Sequence, residues 1–167
     1  DEDPRMAVVS QGGLFGYADL EQGRLLLPPV YQDAGPFHEG LAVVRLGDRF
    51  GLIDRDGVWR IDCGRYDYVG PLSGGRALVR RDGLYGFMDR HGREAIAVRY
   101  PFACRFHEGR AVVRIGDKYG YIDTEGRQAI PPVFDRAYRF IGGKARVNRC
   151  GETFFIDKSD ECWLKFD

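Results

Sequence analysis

The chain has no charge excess, no long hydrophobic run and no paired-cysteine motif, and each absence removes a class of function. Lysine and arginine number 25 against 25 acids, so bulk attraction to nucleic acid or to an anionic membrane has no source. The longest apolar stretch, Leu25 to Val30, is too short to cross a bilayer. Cys63, Cys104, Cys150 and Cys162 lack the C-x-x-C spacing a zinc site wants and are too sparse for a disulfide framework. Free thiols are expected, and with them a cytoplasmic location. No secretory signal opens the sequence. It starts at Asp1-Glu2-Asp3-Pro4 rather than at Met, so removal of a leading segment is expected, and a periplasmic or exported location stays open. No segment shows a helical period of apolar residues, yet 44% of the 167 residues are hydrophobic, enough for a folded core.

What the chain does have is a repeat. An aromatic-Gly string ending in Asp recurs as Phe15-Gly16-Tyr17-Ala18-Asp19, Phe50-Gly51-Leu52-Ile53-Asp54, Tyr85-Gly86-Phe87-Met88-Asp89 and Tyr119-Gly120-Tyr121-Ile122-Asp123, then in worn form as Thr153-Phe154-Phe155-Ile156-Asp157. The aspartates step by 35, 35, 34 and 34 residues, a period that marks a repeat architecture. An Ala-x-Val pair precedes each string: Ala7 and Val9, Ala42 and Val44, Ala77 and Val79, Ala111 and Val113, Ala145 and Val147. Five copies, at about 5–39, 40–74, 75–108, 109–142 and 143–167, fill a single repeat domain of residues 1–167 and leave no room for a separate catalytic domain. Function is then to be sought on a face of equivalent positions or where one copy departs from the others.

Within a copy the pattern predicts three short strands. From Leu41 to Ile61, a period-two run through Leu46 is followed by a Gly47-Asp48 turn, a second run Arg49 to Asp54, an Arg55-Asp56-Gly57 turn and a third run from Val58. Pro28-Pro29 and Pro131-Pro132 are expected to mark where a third strand stops, because proline cannot donate to a ladder. A connection of roughly ten residues, carrying Tyr66 and Leu72 in this copy, docks between neighbouring units. The expectation is an all-β fold of five tandem three-stranded antiparallel meanders of 34–35 residues stacked as an open solenoid, with a five-bladed β-propeller as the alternative. Wear at the ends favours the open form: copy one has an extra turn residue, and copy five replaces its two glycines by Phe154 and Asp160.

These residues resemble a known family. The tandem pattern aromatic-Gly-(Tyr/Phe)-(Ile/Met)-Asp, x-x-Gly, Ile-Pro-Pro-x-Phe-Asp and Phe-x-x-Gly-x-Ala-x-Val is similar to the bacterial WG repeats, also called KWG repeats, with Tyr119 to Val147 following it most closely. The family tryptophan is Phe15, Phe50, Tyr85 or Tyr119 here, while Trp59 and Trp163 lie elsewhere, so nothing is carried over through that residue. The resemblance implies a binding scaffold with no catalytic residue set. A fold alone does not name a partner.

Candidate chemistry is sparse. Phe-His-Glu-Gly occurs at Phe37 to Gly40 and at Phe106 to Gly109, but the equivalent place between them has Leu72-Ser73-Gly74-Gly75, so the string reads as a turn rather than a metal or acid–base site. The third histidine, His91, falls in the Asp89-Arg90-His91-Gly92 turn. The column Asp19, Asp54, Asp89, Asp123 and Asp157 invites a calcium row, yet calcium needs six to eight oxygens and the accompanying acids are inconstant; turn capping is the reading. No catalytic residue, cofactor or metal is expected. In each first strand the Ala-x-Val side must be packed, and the other side carries Arg45, Arg76, Arg80, Arg110, Arg114, Lys144 and Arg146 among apolar neighbours. Two readings stay open for it: a solvated strand face with arginine stems covering apolar neighbours, or a basic stripe that recognises an acidic, partly apolar protein surface. The functional expectation is a non-catalytic bacterial protein-binding module, not a nucleic-acid binder and not inserted in a membrane. An immunity-type protein that covers a toxin is the narrower alternative, and an envelope carbohydrate binder with exposed repeat aromatics is the alternative of another class.

Overall fold

The computed structural model describes residues 5–64 and 66–159 in full and residues 162–165 as backbone. Asp1 to Pro4 and Asp160 lie outside the described residues, as do the side chains of Cys162 and Trp163. All described elements are strands, and they form five small antiparallel sheets in chain order. Sheet one holds β1 (Ala7–Gln11), β2 (Leu14–Asp19) and β3 (Arg24–Tyr31). Sheet two holds β4 (Asp33–Ala34), β5 (Ala42–Leu46), β6 (Arg49–Ile53) and β7 (Trp59–Asp62). Sheet three holds β8 (Tyr68–Ser73), β9 (Arg76–Arg81), β10 (Leu84–Asp89) and β11 (Glu94–Tyr100). Sheet four holds β12 (Phe102–Ala103), β13 (Ala111–Ile115), β14 (Lys118–Ile122) and β15 (Gln128–Phe134). Sheet five holds β16 (Arg136–Ala137), β17 (Ala145–Arg149), β18 (Glu152–Ile156) and β19 (Cys162–Lys165).

The predicted meander is present, but four of the five sheets carry a fourth strand that the three-strand expectation omitted. It comes from the connection: Phe102 and Ala103 of β12 pair with Arg114 and Val113 of β13, and Asp33 and Ala34 of β4 pair with Arg45 and Val44 of β5. The reason is that β5, β9, β13 and β17 would otherwise present an unpaired row of backbone donors and acceptors. A strand of two residues is too short to leave an alternation in the sequence.

The prolines also need correcting. Pro28-Pro29 and Pro131-Pro132 lie inside β3 and β15 rather than ending them. Phe15 faces Tyr31 while Tyr17 faces Leu27, so two steps along β2 span four along β3; Tyr119–Phe134 and Tyr121–Ile130 repeat this in sheet four. The surplus residues bulge out of the ladder, and a bulged residue need not donate, which is where a sheet tolerates proline. Sheet three has the same bulge without proline, Tyr85 facing Tyr100 and Phe87 facing Ile96.

The bulge folds over the repeat glycine. A Cβ on Gly86 would stand 2.6 Å from the Ile96 carbonyl oxygen and 2.7 Å from the Val98 nitrogen, both backbone atoms that cannot swing aside. On Gly120 it would meet the Ile130 carbonyl oxygen at 2.6 Å. Gly51 has a different cause, since there the Trp59 ring occupies the space.

Successive sheets stack face to face. Ala42, Val44, Ala77, Val79, Ala111, Val113, Ala145 and Val147 are all buried, as the Ala-x-Val pattern predicts. Onto this small-residue face the preceding sheet sets the side chain that follows its glycine, and the connection adds an apolar anchor. Tyr17 meets Phe37 at 4.9 Å between ring centroids, Phe87 meets Phe106 at 4.7 Å and Tyr121 meets Phe140 at 5.1 Å. Leu52 and Leu72 take these places in the layer between sheets two and three. The phenol hydroxyls do not go unpaired: Tyr17 donates to the Gly35 carbonyl at 2.6 Å and Tyr121 to the Tyr138 carbonyl at 2.7 Å.

Gly86→Val should therefore destabilise the chain by about 1–3 kcal/mol, the usual cost of overpacking, at about 2–4 °C of Tm per kcal/mol for a domain of this size. Thermal melts followed by circular dichroism test this. An unchanged melting curve would show that the close approach over Gly86 carries no weight.

Candidate functional site

The seven cations singled out from the sequence do not form one exposed stripe. Between them on the strands lie Leu78 and Val112, which are 7% and 2% exposed because the next sheet covers them. Most of the arginines serve their own repeat. The Arg45 guanidinium donates to the Gly47 carbonyl at 3.0 Å and Arg114 to the Gly116 carbonyl at 3.1 Å, each closing its own hairpin turn. Arg76 reaches the Thr124 carbonyl of the following sheet at 2.9 Å, and Arg110 donates to the Gly109 carbonyl at 3.1 Å while its Nε is buried with no partner. Arg80 pairs with Asp67 at 3.0 Å. Of the seven, Lys144 and Arg146 line a concave feature of the surface.

That feature is an open-sided groove of about 960 Å³ running across sheets three, four and five. Its cationic lining is Arg105, Arg139, Lys144 and Arg146, with the His107 ring beside them; among the described residues no acid lines it. Its apolar lining includes Tyr68, Leu78, Phe102, Tyr138, Ile141 and Phe155. Phe102 is 36% exposed, Tyr138 42% and Ile141 66%, so the apolar part is open to a partner and not merely core seen from outside. The first strands of these sheets, β8, β12 and β16, and the segments after them supply most of this surface, because each forms one edge of its sheet. Burial lowers the His107 pKa, and the Arg139 and Arg105 charges push it the same way against a smaller opposing effect of Glu108. The groove is thus electropositive in a chain of zero net charge.

Sequence reasoning missed Arg105, His107, Arg139, Phe102 and Tyr138 as groove residues. A signal existed in the repeat itself: the column Pro36, Pro71, Arg105, Arg139 changes from proline to arginine in the copies that border the groove. The connections were read as packing segments, and their variation went unused.

The other candidates take structural roles. His38 N–H donates to the Leu41 carbonyl at 2.9 Å and Leu41 N–H returns the bond at 3.1 Å, so Phe-His-Glu-Gly is a tight reverse turn, with Glu39 at φ 53° and Gly40 at φ 82°. His107 to Arg110 repeats it. The turn glutamates also bridge copies, the Glu39 carboxylate accepting from Gly75 N–H at 3.1 Å and Glu108 from Gly143 N–H at 3.1 Å. The aspartate column caps turns: Asp54 Oδ1 accepts from Asp56 and Val58, Asp89 Oδ1 from His91 and Arg93, and Asp123 Oδ1 from Glu125 and Arg127, all backbone N–H groups within 3.0 Å. Among the described residues no three His, Cys, Asp or Glu side chains are grouped to hold a metal ion. Cys63 is buried, Cys150 exposed, and Cys104 lies in the groove with its thiol pKa pushed up by burial, against a smaller lowering by Arg105. No helix among the described residues is long and apolar enough to cross a membrane.

Comparison with known proteins gives a family and a fold. The family model described as WG containing repeat matches residues 15–49, 50–85, 85–119 and 119–149. No curated protein matches the chain. Among solved structures the chain is similar to Kluyveromyces lactis Hsv2, with a TM-score of 0.58 at 8% identity over 98% of this chain and 61% of that one. The same protein with one loop replaced by a Gly-Ser linker gives 0.60 at 10% identity, covering 97% and 62%. A eukaryotic initiation factor gives 0.58 at 10% identity, covering 98% and 52%. The chain therefore spans about three fifths of the length of Hsv2, and at these identities the likeness is one of fold.

The capped aspartates give the stability a pH dependence. Partial desolvation opposes ionisation of Asp54, Asp89 and Asp123, but the backbone donors outweigh it and hold all three below the ordinary carboxylate value. A carboxyl depressed in the folded state stabilises fully above its unfolded pKa of about 3.9 and loses that contribution as pH falls through the lower folded value. Asp89→Ala should lower Tm by several degrees at pH 7 and narrow its deficit against the native chain as pH falls below the unfolded value of about 3.9. A deficit that stays constant across a pH series of thermal melts would refute the capping role.

Proposed function

We propose, from the premise that the chain belongs to the WG containing repeat family, that it is a non-catalytic protein-binding module whose recognition surface is the groove across sheets three to five. The observation that carries this reading is the lining: cations are its only charged groups among the described residues, set among exposed Phe102, Tyr138 and Ile141. Arginine beside aromatic anchors is the composition of interface hot spots. The partner face this suits is acidic and partly apolar. Two features support a binding rather than a catalytic role. The Cys104 thiol is held up by burial, which is the reverse of nucleophile activation, and the histidine turns are spent on backbone hydrogen bonds between and within copies.

The carbohydrate alternative depended on solvent-facing repeat aromatics. Tyr17, Phe87 and Tyr121 are instead at most 1% exposed, inside the layers between sheets, and only the fourth, Phe155, is half-buried, lining the groove as a single ring rather than a ladder. As to closure, we read the stack as open. Ala7 and Val9 of sheet one are only half-buried, whereas their equivalents in the other four sheets are buried, which supports an end with no preceding sheet laid on it. The likeness to Hsv2, a propeller, supports the alternative of blades set around an axis.

A photo-crosslinking amino acid placed at Phe102, and separately at the exposed Leu20 in a turn of sheet one, tests the reading in a lysate of the source cell. Position 102 should yield a discrete adduct that protease removes and that about 500 mM salt suppresses. No adduct at 102, an adduct resistant to protease, or the same adduct from both positions would overturn it.

A further inference from the structure

The groove's cations are not required by the repeat. At the positions of Arg105 and Arg139, copy one has Pro36 in a connection of the same form, after a two-residue strand, and copy two has Pro71 inside β8. Neither arginine makes an ion pair with any described residue, and no acid lines the groove beside them. The nearest acid to His107, Glu108, has its carboxylate turned to the Gly143 N–H. Arg105, Arg139 and Arg146 thus bring like charges to one surface with no acid in the lining between them, an arrangement that costs mutual repulsion.

The apolar half is held rigid. Phe102 is braced edge-on by Tyr85, with 6.4 Å between ring centroids, and by Tyr119 at 5.7 Å, yet it keeps an exposed face. Tyr138 lies under the Arg146 guanidinium at 4.3 Å from its centroid and is also exposed. Rings fixed by neighbours lose little freedom when a partner covers them. The groove is open-sided and crosses three sheets, a shape that suits a length of chain rather than an enclosed small molecule.

Resting on the reading of the chain as a protein-binding module, we propose that this groove docks an acidic, extended peptide segment that places a large apolar side chain against Phe102, Tyr138 and Ile141 and its flanking carboxylates against Arg105, Arg139 and Arg146. Charge complementarity selects the carboxylates, and the exposed apolar surface selects the residue between them. A single-stranded nucleic acid would also present negative charge and flat rings. The aliphatic share of the lining, Leu78, Ala103, Ala137 and Ile141, favours the peptide.

The test uses a fluorescein-labelled peptide of glutamates flanking a central tryptophan, measured by fluorescence anisotropy at about 50 mM and about 500 mM salt. Its companions are the same peptide with alanine for tryptophan, a peptide with lysine for glutamate, and an oligothymidylate. The tryptophan–glutamate peptide should bind best and lose affinity at high salt. Arg105→Pro combined with Arg139→Pro copies the residues of the first two repeats, so it should keep the melting temperature and lose more than about tenfold in affinity, about 1.4 kcal/mol. Phe102→Ala should weaken the tryptophan peptide and leave the alanine peptide unchanged. Equal binding of the lysine peptide, tighter binding of the oligothymidylate, or native affinity in the double proline variant would overturn the proposal. Failure of every acidic peptide, with a protein adduct still forming at position 102, overturns the acidic-segment assignment alone; loss of both overturns the module reading with it.

Discussion

The layer between sheets is the constraint on which the rest depends. One side of each layer is kept small, as at Ala111 and Val113, so that the ring of the preceding sheet, here Phe87, fits between the sheets against the connection's Phe106. An aromatic pair of this geometry adds about 0.5–1.5 kcal/mol beyond the area it buries, and the arrangement recurs in three layers. The glycine next to the ring follows from it. The third strand must come close over the second to seal the layer, and in sheets one, three and four its backbone passes within about 2.5–2.6 Å of where a Cβ would sit. The aspartate that ends each second strand then turns the chain by capping two backbone donors, which launches the third strand at the right place.

Covering both faces of the interior sheets leaves little of the strands for recognition. Leu78 and Val112, on the face opposite Ala-x-Val, belong to cores as fully as the alanines do. In sheets two to four the cations Arg45 and Arg114 on that face satisfy turn carbonyls at strand ends and Arg80 meets Asp67, while in sheet five Arg146 takes the place of Leu78 and Val112 and lines the groove. What remains free to vary is the sheet edge and the connection that leads to it. The groove is built there, from β8, β12 and β16 and the residues that follow them. A scaffold of this kind separates its tasks spatially, with packing inside the layers and chemistry along the edge.

Much of the fold is legible in one copy. The runs around Leu41, Arg49 and Val58 correspond to β5, β6 and β7 to within one residue, because alternation is strict and each run ends at a turn with a physical cause. The reverse turn at His38 and Glu39 could be read because Leu72-Ser73-Gly74-Gly75, at the equivalent place, keeps the final glycine and puts Gly74 at the glutamate position while losing the histidine. The fourth strand could not, since two paired residues such as Phe102 and Ala103 leave no period. Pro131-Pro132 misled for a related reason: proline forbids a ladder bond, but whether a ladder bond is asked for at that point is set by the bulge opposite Gly120.

The sequence by itself determined the repeat, the all-β class, the small packed face and the structural roles of the glycine and aspartate columns, because each of these depends on local geometry or on a period that one strand can display. Only the tertiary structure decided which cations meet. Arg105 and Arg139 are one repeat apart in the chain, and Tyr68 and Phe155 stand in sheets three and five; they share a groove because sheets stacked in order bring their edges to one side. Strand parity places a side chain on a face of its own sheet, but whether that face meets solvent or another sheet depends on how neighbouring sheets pack, and that information is spread over the whole chain.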